Sequence, residues 1–124
     1  MNVAVPPLRV RRFAGHGLEI VTDEAGPAGA TPVILLHGGG QTRGAWGGAL
    51  AEGARRGFHM ISADLRGHGE SGWSPAGHYG MDAHAGDIAA LAGAHAEPPF
   101  LVGASLGAWR ASATRPSAIR WRAW

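Results

Sequence analysis

The chain has 124 residues, enough for one domain and no more. Its 45% apolar content is that of a globular protein, and the absence of cysteine excludes disulfides, thiolate zinc sites and cysteine nucleophiles and fits a cytoplasmic protein. All 11 basic residues are Arg; residues 1–108 carry a net charge of −2 and residues 109–124 one of +4, so the basic balance belongs to the tail and does not by itself imply nucleic acid.

No membrane partner is expected. The longest strongly apolar run, Val33-Ile34-Leu35-Leu36, falls far short of the roughly 18 residues a membrane helix needs. Arg11-Arg12 is not a twin-arginine signal, because acids follow where such a signal needs an apolar core.

In chain order, "LRVRRFAG" and "GLEIVTDEAG" read as two strands of a hairpin joined at Gly15-His16-Gly17. "GPAGATP" is a turn-rich connection. "PVILLH" is a continuous apolar run, as expected of a strand covered on both faces. "TRGAWGGALAEGARRG" reads as a weak helix, with Trp46, Leu50 and Ala54 recurring every four positions and Arg55-Arg56-Gly57 closing it. "FHMISAD" is a second buried strand, and the turn "LRGHGESGWSPAGHYG" follows. "MDAHAGDIAALAGAHA" reads as a helix with Asp82 in its first turn and Ile88, Leu91 and Ala92 toward the core. Pro98-Pro99 breaks the chain, and "FLVGA" is a third buried strand. Strands alternating with helices imply a parallel sheet with right-handed crossovers.

Gly103-Ala104-Ser105-Leu106-Gly107 is G-x-S-x-G directly after an apolar strand. A sharp strand-to-helix turn of this kind presents a nucleophilic serine above the sheet. His37-Gly38-Gly39-Gly40 can aim backbone N–H groups at an oxyanion, with Gly39 as donor beside Leu106, the residue after the nucleophile. His37 is read as a hydrogen bonder that orders this loop rather than as a base. Gly67-His68-Gly69-Glu70-Ser71-Gly72 matches G-x-G-x-x-G, but no helix opens there to receive a pyrophosphate. His78, His84 and Asp87 lack metal-ligand spacing, and the histidines are read as solvated or capping; no metal or other cofactor is expected. Trp46 and Trp73 are expected to pack over loops or line a pocket.

Together "PVILLHGGGQTRGAW", "ISADLRGHGESGW" and "PFLVGASLGA" resemble, in order and spacing, the first half of an α/β-hydrolase fold protein, over about residues 9–108. The resemblance implies an α/β fold with a mostly parallel sheet of about five strands behind an N-terminal hairpin. It makes Ser105 the nucleophile and Gly39 and Leu106 the oxyanion donors, and it makes the turn from Asp64 to Ser71 structural. Serine in place of aspartate argues against haloalkane dehalogenase or epoxide hydrolase chemistry. It favours hydrolysis of a small ester, lactone, thioester or related acyl compound.

The family order is serine, then acid, then histidine. Residues 106–124 contain no Asp, Glu or His, so the expectation is a chain cut after the nucleophile and inactive alone. Residues 1–108 are read as the N-terminal part of the domain. Residues 109–124, with Pro116, three Trp and four Arg, are read as an atypical tail of frameshift origin. The family topology places "PFLVG" in mid-sheet; cut here it becomes an edge, and self-association is expected. The alternative is a non-catalytic remnant or interaction protein whose basic Trp/Arg tail binds nucleic acid.

Overall fold

The computed structural model describes residues 7–104. Strands β1 (Arg9–Ala14) and β2 (Glu19–Ala25) form the hairpin, closed by Gly15 N–H donating to Leu18 O at 2.7 Å. Then come β3 (Pro32–Leu36), a 3-10 turn (Arg43–Trp46), α1 (Gly47–Arg55), β4 (His59–Ala63), α2 (Met81–Gly93) and β5 (Phe100–Gly103).

The five strands lie in the order β1-β2-β4-β3-β5. Strand β2 is antiparallel to both β1 and β4, while β3 is parallel to β4 and β5. Only β2 runs against the other four, so the sheet is mostly parallel, as expected. Side chains alternate across a strand, and β3 shows the result. Ile34 and Leu36 join Ile61, Leu101, Ile88, Leu91 and Ala92 in a core under α2. Leu35 joins Ala25, Met60, Leu50 and Ala54 under α1. The helices therefore cover opposite faces. Each fully buried side chain, such as Ile34 or Leu101, stabilises the fold by about 1.5–3 kcal/mol relative to exposure.

Three local readings need correction. The helix expected over 42–57 is split. Asp64 takes the Arg43 N–H and Ser62 Oγ donates to the Arg43 carbonyl, so this turn is tied to β4 and tightens, with Gly47 N–H reaching only Gly44 O. Strand β5 is half-buried at Phe100 and Val102 rather than covered on both faces. Among the described residues its only strand neighbour is β3, so it lies at an edge. Trp46 packs against the α1 core, but Trp73 is 74% exposed.

Candidate active site

Strands β3, β4 and β5 are mutually parallel, so the loops leaving their C-terminal ends meet on one side of the sheet, where open α/β sheets bind ligands. Ala104 N–H donates to Leu36 O at 3.2 Å, which locks the end of β5 beside the end of β3. A Cβ built on Gly38 would lie 3.6 Å from the Ala104 carbonyl oxygen. The glycine loop thus runs along the residue that precedes Ser105. Ser105 and Leu106 themselves lie outside the described residues.

The three glycine amides have different fates. Gly38 N–H donates to Gln41 Oε1 at 3.0 Å, and Gly40 N–H points to His68 Nε2 at 3.4 Å. Among the described residues, Gly39 N–H has no hydrogen-bond partner, and Gly39 is exposed. His37 is fully buried. Its Nε2 accepts from Leu65 N–H at 3.0 Å, so Nδ1 carries the proton and donates to Gly38 O at 2.7 Å. Burial, aided by the neighbouring His68, holds the His37 pKa below its ordinary value of 6.5, against the opposing Gly38 bond. With both ring nitrogens committed, His37 joins the ends of β3 and β4 and is not placed to act as a base.

The turn after β4 is a knot of short bonds. Asp64 is fully buried; its carboxylate accepts Arg43 N–H at 2.6 Å, Arg43 Nη1 at 2.5 Å and Glu70 N–H at 3.0 Å. Arg43 Nε also reaches Asp23 at 2.9 Å and its Nη2 reaches Glu70 at 2.7 Å. Burial opposes the Arg43 charge, and the three carboxylates outweigh it, so its pKa is raised. Ser71 Oγ donates to Asp64 O and accepts from Val21 N–H. Gly72 N–H donates to Glu19 O, leaving this glycine-rich turn engaged with β2, and the next helix begins only at Met81.

Arg66 is 1% exposed and forks onto both oxygens of Asp87 at 2.7 and 2.8 Å. It also donates to the carbonyls of His78 and His16. That pairing raises the Arg66 pKa despite the opposing burial, and it ties α2 to the hairpin turn. It also accounts for Asp87, which is occupied by Arg66, and for His78, which contributes its backbone. The reading of the histidines as solvated or capping fails for His59 and His84, which are both buried; His59 Nε2 contacts the buried Glu24 carboxylate at 2.6 Å. Among the described residues no three His, Asp or Glu side chains are grouped to hold a metal ion. Nor is any helix there long and apolar enough to cross a membrane.

Sequence reasoning missed Arg43, Asp23 and Gln41. One signal was present: an arginine in the first turn of an expected helix, where the macrodipole disfavours a cation.

The profile of the alpha/beta hydrolase fold matches residues 31–116. The chain belongs to this family. An uncharacterized protein of Mycobacterium tuberculosis is 35% identical over 107 residues, covering 86% of this chain and 30% of that protein; one of Mycobacterium bovis matches equally. Among solved structures, an epoxide hydrolase from Vigna radiata superposes with a TM-score of 0.86 at 24% identity, over 94% of this chain and 38% of that one. A laboratory evolved variant of potato epoxide hydrolase gives a TM-score of 0.80 at 26% identity, over 87% and 35%. The chain thus spans about a third of the length of the proteins it matches.

Proposed function

We propose that the chain carries the nucleophile and oxyanion half of a serine-dependent hydrolase site for a small ester, lactone or related acyl compound. Ser105 attacks the carbonyl carbon, and the N–H groups of Gly39 and Leu106 hold the oxyanion. The observation that supports this is the Gly39 amide, without a partner among the described residues, in a loop whose Gly38 lies against Ala104, next to the serine in the chain. Serine also separates this chemistry from that of the solved epoxide hydrolases. Serine opening an epoxide would leave an ether that water does not cleave, whereas attack on an ester gives a hydrolysable acyl-serine.

His37 is committed at both nitrogens, and His68 Nδ1 lies 3.0 Å from Arg66 O. No Asp, Glu or His follows Ser105. In the family order of serine, acid, histidine the acid and base come after the nucleophile, and residues 106–124 contain neither. The substrate is a small molecule; neither a membrane nor nucleic acid is the partner, no cofactor takes part, and the setting is cytoplasmic.

External imidazole tests this by standing in for the base. A fluorophosphonate should form an adduct on Ser105, followed by intact mass, at a rate that rises with imidazole and vanishes in Ser105→Ala. Without imidazole, turnover of p-nitrophenyl acetate should match Ser105→Ala. No adduct at any imidazole concentration would overturn the proposal. Rapid stoichiometric labelling without imidazole would show that an upstream histidine serves as base and overturn the half-site.

A further inference from the structure

We infer that Arg43 is the positioning residue for the Gly39 N–H, and that the turn from Asp64 to Glu70 exists to hold it. This rests on the oxyanion role proposed for Gly39. The loop from His37 to Arg43 is tied to that turn at three points. His37 Nε2 takes Leu65 N–H at one end. The middle tie, Gly40 N–H to His68 Nε2, is 3.4 Å long and weak. The far end is Arg43, and nearly all its polar atoms are engaged. Its N–H, Nη1, Nε and Nη2 reach three carboxylates, and its carbonyl accepts Ser62 Oγ.

The three carboxylates come from three places: Asp23 on β2, Asp64 at the end of β4 and Glu70 in the turn. A planar guanidinium offers separate N–H directions to each, which a lysine ammonium on a flexible stem does not fix. The fork is 13% exposed on its side chain, so these charge-assisted bonds are little screened. Arg43 also offsets negative charge. Without it, Asp23, Asp64 and Glu70 would face the loop that must receive an oxyanion. A misplacement of about 1 Å or loss of one oxyanion donor costs on the order of 10²-fold or more in rate.

The test compares wild type, Arg43→Gln and Arg43→Lys in imidazole-driven acylation of Ser105. The maximal acylation rate should fall by about 100-fold in Arg43→Gln and by less in Arg43→Lys, with the half-saturating probe concentration unchanged. Added guanidinium ion should restore part of the rate in Arg43→Ala, and methylammonium should not. Hydrogen exchange at the amides of Gly40 and Gln41 should speed up in the variants, with β3 and β4 unchanged. That readout separates positioning from unfolding and needs no activity. Wild type without any adduct refutes the hydrolase reading, and exchange then decides on Arg43 alone. Equal acylation rates, or unchanged exchange at Gly40 and Gln41 in both Arg43→Gln and Arg43→Lys, would overturn the inference.

Discussion

Gly69→Ala isolates the packing of the turn after β4. Gly69 has φ +51°, a left-handed conformation that costs an L-residue roughly 1–2 kcal/mol. A Cβ there would also overlap the Asp64 carboxylate group. Asp64 is fully buried and cannot swing into solvent, so it must surrender the geometry of at least one of its bonds from Arg43 N–H, Arg43 Nη1 or Glu70 N–H. A hydrogen bond to a charged group contributes about 1.5–3 kcal/mol, which brings the expected loss to about 2.5–5 kcal/mol. Gly40→Ala is the control: its φ is +75°, but among the described residues nothing beyond its chain neighbours lies within 4 Å of its Cβ position, so only the backbone cost of roughly 1–2 kcal/mol applies. Urea unfolding followed by tryptophan fluorescence, at one fixed protein concentration, measures both. If the two variants lose stability equally within about 0.5 kcal/mol, the contact with Asp64 is not what demands glycine at 69.

Three further outcomes are expected. Burial lowers the pKa of His37 and His95, so the unfolded chain takes up protons near 6.5 while the folded one does not; stability is full above that pH and falls as pH drops toward the folded values, with a shallower slope in His37→Gln, and an unchanged slope would refute the assignment. Ser71→Ala strands the buried Val21 N–H and Asp64 carbonyl and should cost about 2–4 kcal/mol in the same urea assay; a loss under about 1 kcal/mol would show that water replaces the hydroxyl. Strand β5 pairs only with β3 among the described residues, and sedimentation should show concentration-dependent self-association; a monomer at every concentration counts against an adhesive edge.

Most of the sheet was readable because each buried strand is a short apolar run bounded by glycine or proline. β3 and β4 lie within the stretches the sequence marks, and α2 buries Ile88, Leu91 and Ala92 as its spacing implies. The hairpin was readable from its glycine-rich turn. The split before α1 was not, because it depends on Asp64 and Ser62, distant residues that compete for the Arg43 backbone. Of the candidate site, the structure describes Gly39 as an exposed glycine of the loop after β3, whose neighbour Gly38 lies near Ala104 at the end of β5, while Ser105 and Leu106 lie outside the described residues. His37 was readable as a tie because it ends a strand and opens a glycine run. Arg43 was not, since three carboxylates from three elements converge on it only in the folded chain.

The pairing of β5 with β3 also dictates when the site can come into being. Val33 meets Phe100 and Leu36 meets Gly103, contacts between segments 67 residues apart, whereas β1 and β2 close over a few residues. Long-range parallel pairing must bear its loop-closure entropy before it gains any contact, so it forms slowly. A nascent chain can therefore assemble the hairpin and the knot around Asp64 while Gly39 still faces empty solvent. The glycine loop after β3 and the end of β5 meet only when this final described strand docks, so any partly folded form carries the loop without Ala104 beside it.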